Sequence, residues 1–492
     1  GKGIDTLKIT DSLGTTITLP TLTSVEVIEV TGVAATTVIN TTTTTGVTDL
    51  NIVKATNADA TAGSETNVNV SGVTTGNIAV VGGNNVTVTD TATNKDAAVG
   101  TINIGTGTSA NGDVKITANL NSDGTAALAG KAIAVTGGKT VDVTVNANNV
   151  AKVATAADDI VVGTITVKGG DNTTTVTVTQ NDNSQTFTSA KVAEVKDTQT
   201  ITFKALTSGQ KVVITDGTNA LTFTASKALT AEEVAAAFAG LVADDRQDNG
   251  GKVANGVYEG QFAANWSAKS VSGATVTFEA PVSNATTLAN NASSVAPTFG
   301  TVVNGTGASG GSTSGNAVTY GQVVINNTAK TGGTTDTIKT VTVDGYATSS
   351  TIASNALTDL TLKNSATNAA ITLTSTVASL NVTLDNVVGT VDLDGAAAGV
   401  TTLKTLNLTT TGEASDIILD TQAVETLTIA AAADLDISSG STDLTAVKTV
   451  TITGAGDVNL GNLSAWPQNN PAYELEIGIG EISQIHLKCY PD

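Results

Sequence analysis

Three aspartates late in the chain share a local pattern in which an apolar residue follows three positions later. The pairs are Asp416 with Leu419, Asp434 with Ile437, and Asp457 with Leu460. If those apolar residues point into one stacked core, the aspartates form a column with neighbours about 4.8 Å apart. Carboxylate oxygens are the ligands that Ca²⁺ prefers, so the pattern indicates a candidate calcium site.

A second pair of aspartates extends the same idea. Asp394 and Asp420 each follow a leucine, Leu393 and Leu419, that is expected to be buried. Two carboxylates at the spacing of neighbouring strands repel by about 3–4 kcal/mol at an effective dielectric constant near 20. Two explanations remain open for how this repulsion is offset. Either Ca²⁺ ions bind the carboxylates and link one coil to the next, or the carboxylates lie on a solvated face where separate rotamers and salt relieve the repulsion.

The elements that would position these aspartates belong to a repeat of the form apolar-x-x-apolar-x-apolar. Successive copies in the second half of the chain are spaced by 19 to 26 residues, and most are followed by a second short apolar segment. Two short strands in a period of about 20 residues are typical of a β-solenoid, in which each coil stacks on its neighbour. The copies are "IKTVTV", "LTDLTL", "VASLNV", "LKTLNL", "VETLTI" and "VKTVTI".

The repeats divide the chain into ranges. Residues 1–75 carry three more copies of the motif, residues 76–186 carry longer β repeats, and residues 321–465 carry the solenoid coils just described. We therefore expect an all-β protein built from β-solenoid, or β-helix-like, and β-sandwich-like modules.

Residues 187–304 break the pattern, because they contain all seven phenylalanines of the chain. Such a segment needs a thicker core than stacked aliphatic coils, so we predict a small inserted α+β domain, followed by a linker at 305–320. Its single helix is expected at residues 231–243, where Thr230 and Glu233 have the spacing of a capping box and Leu229 can pack on Val234.

The tail at 466–492 differs from the repeats and contains the only histidine and the only cysteine, His486 and Cys489. It is either a terminal cap or a segment foreign to the repeat. The two residues do not complete a zinc site, which needs four ligands or three and a water.

Composition restricts the function further. Lys and Arg total 23 against 44 Asp and Glu, a net charge of −21, whereas nucleic acids and anionic membranes are bound by cationic proteins. A single histidine makes a Ser-His-Asp triad an improbable basis for activity. Carboxylate pairs can hydrolyse glycosidic bonds, but the repeats are poor in the aromatic and basic residues that line a saccharide groove. We therefore expect no enzymatic activity.

Taken together, the segments "LTDLTLKNS" and "VKTVTITGAG", the Thr-, Ala- and Gly-rich acidic composition and the absence of Met resemble Gram-negative bacterial surface-layer proteins of the type I secreted, calcium-binding (RTX-related) class. The resemblance implies Ca²⁺-dependent folding and self-assembly outside the cell. Tandem GGxGxDxxx repeats of that class are absent.

The expected function is therefore structural: a cell-surface protein that assembles with copies of itself into a layer, sheath or filament stabilised by Ca²⁺. Outer-membrane polysaccharide is a second expected partner, and neither nucleic-acid binding nor membrane insertion is expected. The alternatives are a secreted adhesin whose repeats act as a spacer and, less favoured, a β-helical polysaccharide-active enzyme.

Overall fold

A computed structural model gives the fold of the 492-residue chain. The residues that it describes are 3–14, 16–32, 36–73, 76–93, 100–122, 127–149, 159–184, 186–188, 194–245, 252–253, 255–281, 286–307, 313–315, 317–332, 335–395, 402–437, 444, 446–462, 474–477 and 485–488. They divide into two compact units, Gly1–Phe187 with Ser314–Asp492, and Thr188–Thr313. We call the first the solenoid unit and the second the inserted unit.

Alternating apolar and polar residues form the strands of the solenoid unit. In Thr140–Asn149, for example, Val141, Val143 and Val145 are buried, while Asp142 and Thr144 between them are partly exposed. This period of two is what a strand with one buried face requires. The first long sheet, sheet A, has fifteen strands: Thr6–Asp11, Val27–Gly32, Asp49–Val53, Asn67–Val73, Val86–Thr93, Val114–Ser122, Thr140–Asn149, Thr175–Asp182, Thr340–Tyr346, Asp359–Ser365, Ser379–Asp385, Thr405–Thr410, Thr426–Ala431, Thr449–Gly454 and Glu474–Ile477.

A second long sheet, sheet B, also has fifteen strands in the described part of the chain, and the chain alternates between the two sheets. All pairings between the described strands of both sheets are parallel, as stacked coils require. Its strands are Thr16–Ile17, Thr37–Asn40, Ala58–Ala62, Ile78–Gly82, Thr101–Ile104, Ala132–Thr136, Ile165–Lys168, Val323–Asn326, Ser350–Ala353, Ala369–Leu373, Val388–Asp392, Ser415–Asp420, Leu435–Asp436, Val458–Asn462 and Ile485–Lys488. The expected all-β, solenoid-like architecture is thus confirmed.

The two long sheets share one aliphatic core. Val, Ile, Leu and Ala residues of successive coils stack along it, and Tyr346 is the one aromatic residue in this core among the described residues. Each coil covers the apolar face of its neighbour, which no single coil could bury alone.

Pairing continues across the inserted unit. Strand Thr175–Asp182 pairs in parallel with Thr340–Tyr346 in sheet A, and Ile165–Lys168 pairs with Val323–Asn326 in sheet B. Two further small sheets contain Leu128–Ala129, Ile160–Val161 and Val318–Thr319, and Thr186–Thr188 with Thr313–Gly315. The coils therefore stack as if the intervening residues were absent.

The ranges expected from the sequence join differently in the structure. Residues 1–75, 76–186 and 321–465 contribute strands to the same two sheets, and no separate sandwich-like module is present in the described part of the solenoid unit. The range expected as a linker contains the short strand Val318–Thr319. In the atypical tail, the described strands Glu474–Ile477 and Ile485–Lys488 extend the two sheets. Cys489 lies outside the described residues, as does the side chain of His486.

The inserted unit contains two antiparallel sheets and the helix Ala231–Phe238. One sheet has strands Ser267–Ser272, Thr275–Ala280, Asp197–Thr202 and Thr298–Phe299. The other has strands Lys252–Val253, Gly256–Gly260, Ala220–Ala225, Lys211–Thr215 and Ala289–Asn290. Its core is aromatic: Phe203 and Phe238 stack with ring centroids 4.6 Å apart, and Trp266 is fully buried.

The helix begins at the expected capping box. Thr230 Oγ1 accepts a hydrogen bond from the Glu233 N–H, and the Glu233 carboxylate accepts one from the Thr230 N–H. The helix ends at Phe238, earlier than expected, and Val242, inside the expected range, is exposed. Gly240 follows the C-cap residue Ala239, and glycine disfavours helix continuation. In the described part of the chain, no helix has the length and apolar character of a membrane span.

Candidate cation site

Two neighbouring strands of sheet B bring three carboxylates together. Val388–Asp392 and Ser415–Asp420 run parallel, and Asp392 lies opposite Asp420 in their register. Asp394 follows two residues later, and carboxylate oxygens of the three aspartates lie within 4.8 Å of one another. The expected grouping of Asp394 with Asp420 is therefore present in the structure.

Asp392 is the member of this group that the sequence analysis missed. A signal for it existed, because Asp392 and Asp394 flank the buried Leu393 and so both face away from the core. Placing it beside Asp420 additionally requires the register, in which Val391 lies opposite Leu419.

Local hydrogen bonds hold the carboxylates of Asp392 and Asp394, and join the backbones of the two coils. The Asp394 N–H donates to Asp392 Oδ1 at 3.1 Å, and the Gln422 N–H donates to Asp394 Oδ2 at 2.7 Å. The Leu393 N–H donates to the Asp420 carbonyl at 2.9 Å, which joins the two coils. A Cβ atom on Gly395 would lie 2.3 Å from Asp392 Oδ2, so a larger residue at this position would require the carboxylate to move.

The surroundings of Asp392 oppose its ionisation. Burial raises the pKa of Asp392 above its ordinary value, and the negative charge of Asp394 raises it further, while backbone hydrogen bonds from Asp394 and Gly395 act in the opposite direction. Thr421, which follows Asp420, is fully buried, and its Oγ1 atom has no hydrogen-bond partner among the described residues. This corner of the coil thus concentrates negative charge and one unpaired hydroxyl.

The geometry is compatible with Ca²⁺. Calcium–oxygen distances are about 2.3–2.6 Å, so two ligand oxygens on opposite sides of one ion lie about 5 Å apart. Carboxylate oxygens of the three aspartates lie within 4.8 Å of one another, so one ion could contact all three. Three carboxylates supply between three and six of the six to eight oxygens that Ca²⁺ takes, so main-chain carbonyls or water would complete the shell.

The first column expected from the sequence forms only in part. Asp434 and Asp457 are neighbours, since the Asp457 N–H donates to Asp434 Oδ1 at 2.8 Å. Asp416, however, lies opposite Asp436 rather than Asp434. The expected alignment of Asp416 with Asp434 is therefore wrong by two residues. A shift of two keeps the same strand face towards the core, so the alternation of apolar residues cannot detect it.

All three aspartates of that column nevertheless line one cavity of about 320 Å³, together with Asp436 and Asn459. Asn459 Nδ2 donates to Asp436 Oδ2 at 3.0 Å. Asp416 and Asp434 are exposed to solvent. Among the described residues, Asp392, Asp394 and Asp420 form the one group of three or more metal-ligand side chains within mutual reach, which makes them the stronger candidate.

Comparison with known proteins adds no family: no protein-family model matches the chain, and no curated protein matches its sequence.

Proposed function

We propose that this chain is a non-catalytic structural protein of the bacterial cell surface, which assembles outside the cell with copies of itself into a layer, sheath or filament. The observation that carries the proposal is the pair of fifteen-stranded parallel sheets. Such stacked coils form an extended scaffold whose strands present long, regular faces to neighbouring molecules. The resemblance of the repeats to RTX-related surface-layer proteins supports the same function.

Charge supports assembly that depends on cations. A net charge of −21 makes copies of the chain repel one another until counter-ions bind. Ca²⁺ held by Asp392, Asp394 and Asp420 would neutralise their repulsion and link the two coils that carry them. We propose this ion as a stabiliser of the fold, with Asp416, Asp434 and Asp457 as a second, weaker position.

Electron microscopy of the purified full chain tests the proposal. In millimolar Ca²⁺ we expect ordered sheets, tubes or filaments that dissolve when a chelator is added in excess. Particles that remain monomeric under both conditions would contradict the assembly function.

Thermal unfolding tests the ion separately. At a Ca²⁺ concentration about one hundred times the dissociation constant, binding stabilises the folded state by about 2.7 kcal/mol. The double variant Asp394→Asn, Asp420→Asn should lose this stabilisation. Asp59→Asn is the matched control, because Asp59 lies in sheet B between the uncharged residues Val38 and Ala79. An equal response of both variants to Ca²⁺ would exclude the three-aspartate group as the site.

A secreted adhesin is the second candidate, favoured by one observation. The inserted unit has its own aromatic core, and in the sequence it separates two strands that pair directly with each other. In an adhesin, the coils would act as a spacer that carries such a module.

A further inference from the structure

A polar cleft in the solenoid unit lies apart from the aspartate groups. It has a volume of about 320 Å³ and is lined chiefly by Asp182, Asn183, Tyr320, Asp344, Asn364 and Asn386. The volume is at the lower end of the range for small-molecule sites and fits about one or two sugar rings. Among the described residues, no lysine or arginine lines it. Its chemistry is thus that of amides, carboxylates and one aromatic ring.

Two ladders of hydrogen-bonded amides end at this cleft. In the first, Asn183 Nδ2 donates to Asn148 Oδ1 at 3.0 Å, and Asn148 Nδ2 donates to Asn121 Oδ1 at 2.9 Å. Each member of such a ladder uses its amide N–H on one neighbour and its oxygen on the other. Asn183 is the last member, and no described residue donates to its Oδ1 atom. The ladder therefore presents an acceptor to the cleft.

The second ladder approaches from the coils that follow the inserted unit. Asn386 Nδ2 donates to Asn364 Oδ1 at 3.0 Å, and Asn364 Nδ2 donates to Asp344 Oδ1 at 2.7 Å. Both asparagines have positive φ angles, 46° and 56°, a conformation that asparagine tolerates better than most residues. The ladder ends on the Asp344 carboxylate, which retains acceptor capacity, while each asparagine keeps a second amide hydrogen to donate.

Tyr320 forms an aromatic wall whose position is fixed by a buried clamp. Gln180 Nε2 donates to the carbonyls of Gly321 and Gly345, at 3.0 and 2.9 Å, and its Oε1 accepts from the Gly321 N–H at 2.7 Å. The ring lies against Gly345, where a Cβ atom would come 3.3 Å from Tyr320 Cε1. Because the clamp and the ring are set by the fold, the cleft is shaped before any ligand arrives.

The charge around the phenol also matters. Burial, and then the carboxylates of Asp182 and Asp344, raise the pKa of Tyr320, so its hydroxyl remains a donor at neutral pH. The cleft thus offers carboxylate and amide acceptors, amide and phenol donors, and a flat apolar ring. A metal ion would use the acceptors alone, and an ammonium group would use the acceptors and the ring but not the donors. A pyranose uses all three, because its hydroxyls both donate and accept and its C–H face packs on aromatic rings.

We propose that this cleft, the Tyr320 cleft, binds a neutral pyranose unit of a glycan. The site goes beyond the proposed assembly function and does not depend on it, since every contact lies within the solenoid unit of one chain. Tyr320 would pack on the sugar ring, and Asn183, Asp344 and Asn386 would hydrogen-bond its hydroxyls.

Saturation-transfer NMR on the full chain tests the site in the presence of a chelator, where assembly and Ca²⁺ do not contribute. The probes are the methyl glycosides of glucose, mannose, galactose and N-acetylglucosamine. We expect at least one to give a saturable signal with a dissociation constant on the order of 1 mM. A panel without any saturable signal would overturn the proposal, as would a signal displaced by tetramethylammonium, which would assign the cleft to cations.

Matched variants locate the signal. Asn183→Ala and Tyr320→Ala should each weaken binding by about tenfold, the equivalent of one lost hydrogen bond or packing contact. Asn407→Ala is the control: Asn407 Nδ2 donates to Asn381 Oδ1 at 2.9 Å in another ladder of sheet A, away from the cleft. Should Tyr320→Ala fail to fold, Asp344→Asn provides the second variant of the cleft. Unchanged binding in Asn183→Ala and Asp344→Asn would place the sugar elsewhere and refute the assignment.

Discussion

The solenoid unit and the inserted unit bury apolar surface in different ways. In the solenoid unit, Leu406, Leu427 and Val450 occupy the same position of three successive coils, so each residue packs on its own equivalent. In the inserted unit, Phe203, Phe223 and Phe238 meet only once, in a core without repetition. The first arrangement tolerates variation because each contact recurs, whereas the second depends on a few large side chains.

A buried ion pair offers the severest test of the repetitive core. Lys131 Nζ lies 2.7 Å from Asp90 Oδ1, and the two side chains are only 3% and 1% exposed. Lys131→Met removes the positive partner of a buried carboxylate, so we expect a loss of about 3–5 kcal/mol in the free energy of unfolding. Urea denaturation measures it. The double variant Lys131→Met, Asp90→Leu should recover most of the loss, and failure to recover would show that the charges themselves are not the cause.

Phe238→Ala is the corresponding test of the inserted unit. Phe238 is fully buried and its ring contacts Phe203, Phe223 and Tyr258. The substitution should cost about 3–4 kcal/mol, since a large cavity replaces the ring. Hydrogen exchange should show lost protection within residues 197–280 and unchanged protection in sheet A. Val242→Ala, at a position 57% exposed, is the control. Loss of protection in both units would contradict the description of two separate cores.

Asp392, in the three-aspartate group of sheet B, should have a smaller effect on stability, and this effect should depend on pH. Because the folded state raises the pKa of Asp392 above 3.8, it binds the proton more tightly than the unfolded chain. The contribution of this group to stability is therefore lost as the pH rises from 3.8 through the raised pKa. Without Ca²⁺, Asp392→Asn should stabilise the protein modestly near neutral pH, because the neutral amide does not have to ionise in a partly buried position beside Asp394.

The difference between Asp392→Asn and the unsubstituted chain should disappear in strongly acidic solution. Urea denaturation in chelator, at acidic and neutral pH, measures it. A variant that is destabilised at neutral pH in chelator would show that the ionised carboxylate stabilises the corner.

The smallest expected effect concerns the helix of the inserted unit. Thr230→Ala removes the side-chain acceptor for the Glu233 N–H and should cost about 1 kcal/mol. Thr230→Ser retains the hydroxyl and serves as the control in the same denaturation experiment. Equal stability of the two variants would mean that the cap contributes nothing beyond what solvent supplies.

The sequence predicted the repetitive part of the fold well because a coil must repeat its apolar pattern. The motif "VETLTI" buries Val424, Leu427 and Ile429 as expected. The register between strands was harder to predict from the motif. Leu360 lies opposite Val382, whereas aligning the motif copies places it opposite Leu380. A slip of two residues leaves the buried face unchanged, so only the turns can determine it.

The same ambiguity in register limited how well the candidate cation site could be predicted. Asp394 and Asp420 were grouped from the leucines that precede them, and the structure places them together. Asp416 and Asp434 were separated by the slip in the short strand Leu435–Asp436. The Tyr320 cleft could not be predicted, because Gln180 and Gly345 are 165 residues apart in the chain.

That separation also constrains the order of folding. Closing a loop of 165 residues rather than one coil of about 20 costs about 2 kcal/mol more in chain entropy, since each doubling of length adds about 0.6 kcal/mol. The inserted unit can lower this cost, because the Gly305 N–H donates to Asp197 Oδ1 across 108 residues at 2.7 Å. If it folds first, the ends of the long loop are already close together. The insertion then acts as a nucleus that allows the second half of the solenoid to grow on the first.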